Sequence, residues 1–168
     1  RERIMNNTEK AALLLKEFAQ ARHIADLSFD EEGGCVLVDE RERVIHLQID
    51  EAAGRLLALS ALGALPASAH CRPEVLYDIL TANFCWAGSC GGTLAVEPAS
   101  GEAVIQYALT LADADAADFA RFIDEFAQLA IYWRERLDGI LAAHSGADSP
   151  FALSEETVSL AEEALIRA

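Results

Sequence analysis

Between residues 35 and 62 the chain carries three apolar runs whose connections are too short for anything but antiparallel pairing. The first run is Cys35-Val36-Leu37-Val38. The second, from Arg43 to Asp50, sets Ile45, Leu47 and Ile49 on one side against Val44, His46 and Gln48 on the other. The third opens at Gly54 and passes through Leu57, Leu59 and Ala61 to Leu62. Alternation with period two is the mark of a strand, because successive side chains point to opposite faces. Parallel strands need a crossover of roughly a dozen residues or more, and neither the charged turn Asp39-Glu40-Arg41-Glu42 nor the few residues before Gly54 supply one. An antiparallel meander is therefore expected. A hairpin follows later: Thr93 to Glu97, the turn Pro98-Ala99-Ser100-Gly101, then a strand alternating Ala103, Ile105, Tyr107, Leu109 and Leu111.

Helical spacing fills the intervals. Thr8 is the expected cap of a first helix reaching about Arg22, with Leu14, Leu15, Phe18 and Ala21 on one face. Pro73 fits the first turn of a second helix, where its missing N–H costs nothing; Leu76, Ile79, Leu80 and Asn83 or Phe84 recur along it. The longest apolar stripe runs Phe119, Phe122, Ile123, Phe126, Ala130, Trp133, Leu137, Leu141, capped by Asp115 or Asp113 and ending near His144-Ser145-Gly146. Ser154 is the expected cap of a final helix from Glu155 to Ile166, favoured at its start by Glu155 and Glu156. The order α-β-β-β-α-β-β-α predicts an α+β protomer with a twisted antiparallel sheet. One domain is expected over 8–145, with 146–168 a linker and C-terminal tail helix.

Charge narrows the function. The 28 acidic residues outnumber 13 basic ones, for a formal net charge of −15. Such a field repels phosphate, so nucleic acid and anionic membrane surfaces are poor partners and a basic or amphipathic protein segment is a good one. It also keeps an apolar surface soluble. No apolar run approaches the ~20 residues of a membrane span, and the opening Arg-Glu-Arg-Ile-Met has no apolar secretory segment, so a cytoplasmic protein is expected. Cys35, Cys71, Cys85 and Cys90 form no CxxC pair, which argues for reduced thiols and against structural zinc. The loop Ser89-Cys90-Gly91-Gly92 lacks any recognisable base or phosphate-binding signature. Asp26, Asp30, Glu31 and Glu32 do not have calcium-loop spacing. His46 faces away from Ile45 and Leu47, which suits a surface position better than a metal site. Trp133 fits the core stripe, whereas Trp86 lies in a loop, where an exposed Trp marks an interface. No catalytic residue, metal or cofactor is expected. The alternative is a small α+β enzyme or ligand-binding protein with a site near Cys90 and Trp86.

Several local patterns fall in a familiar order: Leu13-Leu14-Leu15 with Phe18; Val44 to Ile49, then Leu57-Ala58-Leu59 ending Leu62-Gly63-Ala64-Leu65-Pro66; Leu76 to Phe84 with its Ala82-Asn83; Gly91-Gly92-Thr93-Leu94-Ala95-Val96 followed by Gly101; and Phe126 to Trp133. In this order the chain resembles the class I type III secretion chaperones, the Tir-chaperone family, over about residues 10–142. The resemblance implies a homodimer in the cytoplasm of a Gram-negative bacterium. It implies a secreted effector as client, bound by its N-terminal segment in extended form, with no cofactor and with the secretion ATPase as a further partner. It places the dimer interface on the second helix and the strand after Gly92, at Leu76, Ile79, Leu80, Phe84, Leu94 and Val96. The client surface is expected on the first helix, at Leu14, Leu15 and Phe18, and on the apolar side of the first two strands, at Val36, Val38, Ile45, Leu47 and Ile49. That helix face carries more apolar area than a lone surface helix needs, and the strand Arg43–Asp50 is framed by charge as an edge would be. An adaptor unrelated to secretion is the remaining alternative.

Overall fold

A computed structural model describes residues 5–38 and 43–145; the Asp39–Glu42 turn, the expected linker and the expected tail helix lie outside the described residues. The elements are α1 (Asn7–Arg22), β1 (Gly34–Val38), β2 (Val44–Asp50), β3 (Arg55–Ala64), α2 (Cys71–Ala82), a single 3-10 turn (Phe84–Trp86), β4 (Thr93–Val96), β5 (Glu102–Thr110) and α3 (Ala116–Ser145). The α+β order is as the sequence implied. The five strands stand in the order β1-β2-β3-β5-β4, each pair antiparallel. Pairing of β3 with β5 joins the meander to the hairpin, and α2 spans the gap between them. The strand Arg43–Asp50, expected as an edge, is interior: β2 lies between β1 and β3, and β1 and β4 are the edges. The charged turn that suggested an edge joins β1 to β2.

Period two decides what is buried. Ile45, Leu47 and Ile49 on β2 lie on the same face as Leu56 and Ala58 on β3, and all are in the core. α1 and α3 cover that face. Phe18 meets Phe119 edge-on at 5.6 Å, and Tyr107 of β5 stacks on Phe122 at 5.7 Å. Further along α3, Phe126, Trp133 and Leu137 continue the buried stripe.

The caps show how local hydrogen bonds set the helix starts. α1 is capped by Asn6 instead of Thr8. The Asn6 side chain accepts the Glu9 N–H at 2.7 Å, and the Glu9 carboxylate accepts the Asn6 N–H at 3.3 Å, a reciprocal capping box. The Thr8 hydroxyl donates instead to the Glu51 carboxylate. At α3, Asp115 does the capping: its carboxylate accepts the Asp118 N–H at 2.8 Å, while Asp118 accepts the Asp115 N–H at 3.1 Å.

These carboxylates make stability depend on pH. The Asp115 N–H, and after it Arg121, hold Asp118 below the usual carboxylate range. The Arg55 side chain and the Ala53 N–H do the same for Asp50, and the Ala99 and Ser100 N–H groups for Glu97. A depressed pKa means that the folded state binds fewer protons than the unfolded chain. The stabilisation is full above the unfolded carboxylate range and is lost as pH falls through the lower folded values. The melting temperature should hold steady above about pH 5 and fall on acidification below about pH 4. Asp118→Asn should flatten part of that fall. A melting temperature equal at the two ends of this acid range would contradict the assignment.

Candidate functional site

The second helix presents apolar side chains on two sides. Val75 and Ile79 point into the core. Tyr77, Leu80 and Phe84, at spacings of three and four, point out and are 69%, 66% and 78% exposed. Just beyond the helix the backbone turns left-handed at Cys85 (φ 52°) and Trp86 (φ 53°), a conformation uncommon outside glycine. Trp86 is 59% exposed, and its indole N–H donates to the Thr93 hydroxyl at 3.3 Å. Large apolar side chains clustered in water are characteristic of a surface that meets another protein.

What holds this patch is Asn83. Its amide NH2 donates to the Leu94 carbonyl at 2.9 Å, and its amide oxygen accepts the Leu94 N–H at 2.9 Å. The end of α2 is thereby fixed to β4, which pairs with β5 on its other side. Of the expected dimer residues, Leu80, Phe84 and Val96 are exposed and Leu76 is partly buried. Ile79 and Leu94 are buried within the protomer, where α2 packs on α3 and β4 and β4 pairs with β5. Tyr77 was missed by the sequence reading; its signal was the 77-80-84 spacing, which continues the outer face.

The residues expected to meet a client divide in the same way. Leu14, Leu15, Phe18, Ile45, Leu47 and Ile49 are core in the protomer. Val36 and Val38 are 51% and 62% exposed, and they do not share a face with the β2 residues named beside them. Val36 stands opposite His46 and Val38 opposite Val44, whereas Leu47 and Ile45 stand opposite Cys35 and Leu37. The register therefore separates the two sets onto opposite faces of the sheet. His46 is exposed, on the outer face with Val36.

Residues 13–134 match the Tir chaperone protein (CesT) family. The chain belongs to that family. No curated protein matches it. Solved structures share the fold. It is 20% identical to a chain of the ExsC–ExsE complex, covering 79% of this chain and 97% of that one with a TM-score of 0.67. It is likewise 20% identical to a chain of the HopA1–SchA chaperone–effector complex, covering 76% and 95% at a TM-score of 0.60. To a chain in the complex of the Yersinia pestis type III secretion chaperone SycH with a fragment of YscM2, the identity is 23%, the coverage 72% and 97%, and the TM-score 0.54.

A Tir-chaperone family member is a chaperone and not an enzyme, and the Cys90 loop reads accordingly. Ser89 is buried, and its hydroxyl donates to the Gly92 carbonyl at 2.5 Å. A side chain on Gly88 would come within 2.8 Å of the Ala82 backbone, and one on Gly92 within 2.9 Å of Leu129. Gly88 is there for close packing on the end of α2 and Gly92 for close packing on α3 and β5, with no phosphate cradle required. Cys90 is exposed, at φ 54°. It lines an open cavity of about 530 Å³ with Tyr107, Asp124, Glu125, Gln128, Leu129 and Tyr132, and no histidine borders it. Cys90→Ser should therefore leave both melting temperature and effector binding unchanged. A large loss of binding by a folded variant would restore a role for the thiol. Among the described residues no group of His, Cys, Asp and Glu is arranged to hold a metal ion, and no helix is long and apolar enough to cross a membrane.

Proposed function

We propose that this chain is a homodimeric chaperone dedicated to one type III secretion effector in the cytoplasm of a Gram-negative bacterium, and that it holds the effector's N-terminal segment extended. Membership of the Tir-chaperone family carries this reading. The HopA1–SchA chaperone–effector complex and the complex of the chaperone SycH with a fragment of YscM2, both fold relatives, support it. So does the physical logic. An extended segment cannot hide its apolar side chains in a core of its own, and a chaperone surface supplies that burial at roughly 25 cal/mol per Å². The net charge of −15 favours a basic or amphipathic segment and keeps the loaded complex soluble.

Two surfaces divide the work in this reading. The Tyr77–Leu80–Phe84 stripe with Trp86 and Val96 meets a second copy. The client lies along β1, an edge strand whose exposed Val36 and Val38 offer side-chain contacts and whose backbone can accept a further strand. Leu14, Leu15, Phe18, Ile45, Leu47 and Ile49 form the core beneath. Delivery of the loaded complex to the secretion ATPase would follow. The test is co-expression with a candidate effector followed by affinity purification through the effector. Recovery of both proteins from a soluble complex that needs the effector's N-terminal segment is expected; equal recovery without that segment would count against the reading.

A further inference from the structure

The helices do not roof the whole of the sheet face on which they lie. α1 packs on β2 and α3, α3 on β3 and β5, and α2 on α3 and β4. α2 ends at Ala82, and Cys90 stands in the loop between it and β4. There the cavity of about 530 Å³ opens, with Tyr107 of β5 and Leu129 of α3 as its floor and Cys90 and Tyr132 as its walls. Its interior is chiefly apolar. The floor is firmly held. Tyr107 stacks on Phe122, and the absence of a side chain at Gly92 lets the loop close on Leu129 and Ile105.

The rim has the opposite character. Asp124, Glu125 and Gln128 stand along it, all exposed, and no cationic side chain lines the cavity. Asp124 already holds an arginine, since Arg22 of α1 reaches its carboxylate at 2.6 Å. Glu125 has no ion-pair partner among the described residues. An apolar floor beneath a carboxylate rim suits an apolar side chain with an arginine or lysine beside it, whose carbon stem lies on the wall while its charge stays at the rim. An acidic segment would be repelled there. A second copy would bring its own formal charge of −15 to the same rim.

We propose that this cavity is a second docking point for the client: it takes one apolar side chain from a basic stretch, and the adjoining arginine or lysine pairs with Glu125. The inference rests on the chaperone reading above, and it adds a charged contact that Val36 and Val38 cannot make. The way from the β1 edge to the cavity crosses α1 and α3, about 20 Å for two helix widths. Six or seven extended residues span that distance at about 3.3 Å each. The client therefore carries two signals in one extended segment: an alternating apolar stretch for β1, and a basic–apolar pair some residues away for the cavity.

Cys90 reports on the cavity without taking part in it. Its thiol is exposed, as is that of Cys85, whereas Cys35 and Cys71 are buried. With the N-terminal segment of the co-purifying effector in excess, alkylation of Cys90 by iodoacetamide, read by peptide mass spectrometry, should slow by about tenfold or more, because only the unbound fraction reacts. Glu125→Lys should weaken binding of that segment by about tenfold or more, with the melting temperature unchanged because the position is exposed. Asp138→Lys makes the same change of charge on α3 outside the cavity, and should alter affinity by less than about twofold. A segment that binds while Cys90 reacts at the free rate, or that binds Glu125→Lys as well as the unaltered chain, would overturn the docking point and leave the chaperone reading standing. So would an equal loss in Asp138→Lys, which would assign the effect to the overall charge. Protection of Cys90 that appears without the effector and fades on dilution would give the cavity to a second copy. A segment that does not bind the unaltered chain at all would remove both readings together.

Discussion

Leu80→Asp and Phe84→Asp should each convert a particle of about twice the 18.1 kDa protomer mass into a monomer. Both side chains are exposed in the protomer, so a carboxylate there costs the isolated chain little. At a dimer interface the same carboxylate would be desolvated without a partner, at a cost of roughly several kcal/mol. Ile79→Asp is the control. Ile79 is one residue from Leu80 in sequence but buried against the core, so the same charge should unfold the chain instead of merely separating two copies. Light scattering and thermal melts read the two effects independently. If both exposed variants keep the mass of a pair, the α2 stripe is not the interface.

The second large effect concerns the client. Val36→Asp and Val38→Asp should each weaken effector binding by about tenfold or more, since about 1.4 kcal/mol is one decade of affinity. Particle mass and melting temperature should stay as they were, because both residues are exposed on an edge strand. Phe18→Ser should do the reverse. Phe18 is buried edge-on against Phe119, and losing such a ring costs about 3–5 kcal/mol. Its melting temperature should collapse, and any change in binding should follow from that. Unchanged affinity in folded Val36 and Val38 variants would move the client surface away from β1.

The sequence disclosed the elements more readily than the faces they present. Short connections and the alternation of Ile45, Leu47 and Ile49 were enough to read a meander. Cys35-Val36-Leu37-Val38 is apolar at every position, and a run without alternation does not say which side chains point inward. Only the register with β2 separates Val36 and Val38 from Cys35 and Leu37. α2 poses the same problem in helical form. Val75 and Ile79 lie on one side and Leu80 and Phe84 on another, while Glu74, Asp78 and Thr81 make only a narrow polar strip, so the apolar residues alone do not say which of them face solvent. The dimer set drawn from it therefore mixed core with surface. The pairing of β3 with β5 was equally hidden, because it joins strands separated by α2 and no local pattern encodes such a contact. Near the start of α1, Asn6 and Thr8 are both good caps by residue type. What decides between them is the residue three further on: Glu9 closes a reciprocal capping box with Asn6, whereas Ala11 could not do so for Thr8, whose hydroxyl engages Glu51 instead.

The amide of Asn83 also makes the two margins of the sheet unequal. By giving Leu94 one donor and one acceptor it imitates a single rung of a neighbouring strand, and β4 is only four residues long. An incoming chain would have to displace that rung before it could pair there, so the β4 margin is stoppered against runaway polymerisation. Among the described residues β1 carries no such plug along Val36 and Val38, and growth of the sheet is directed to that side. A chaperone that holds an extended client, as proposed, without stacking on copies of itself needs one margin shut and one left ajar.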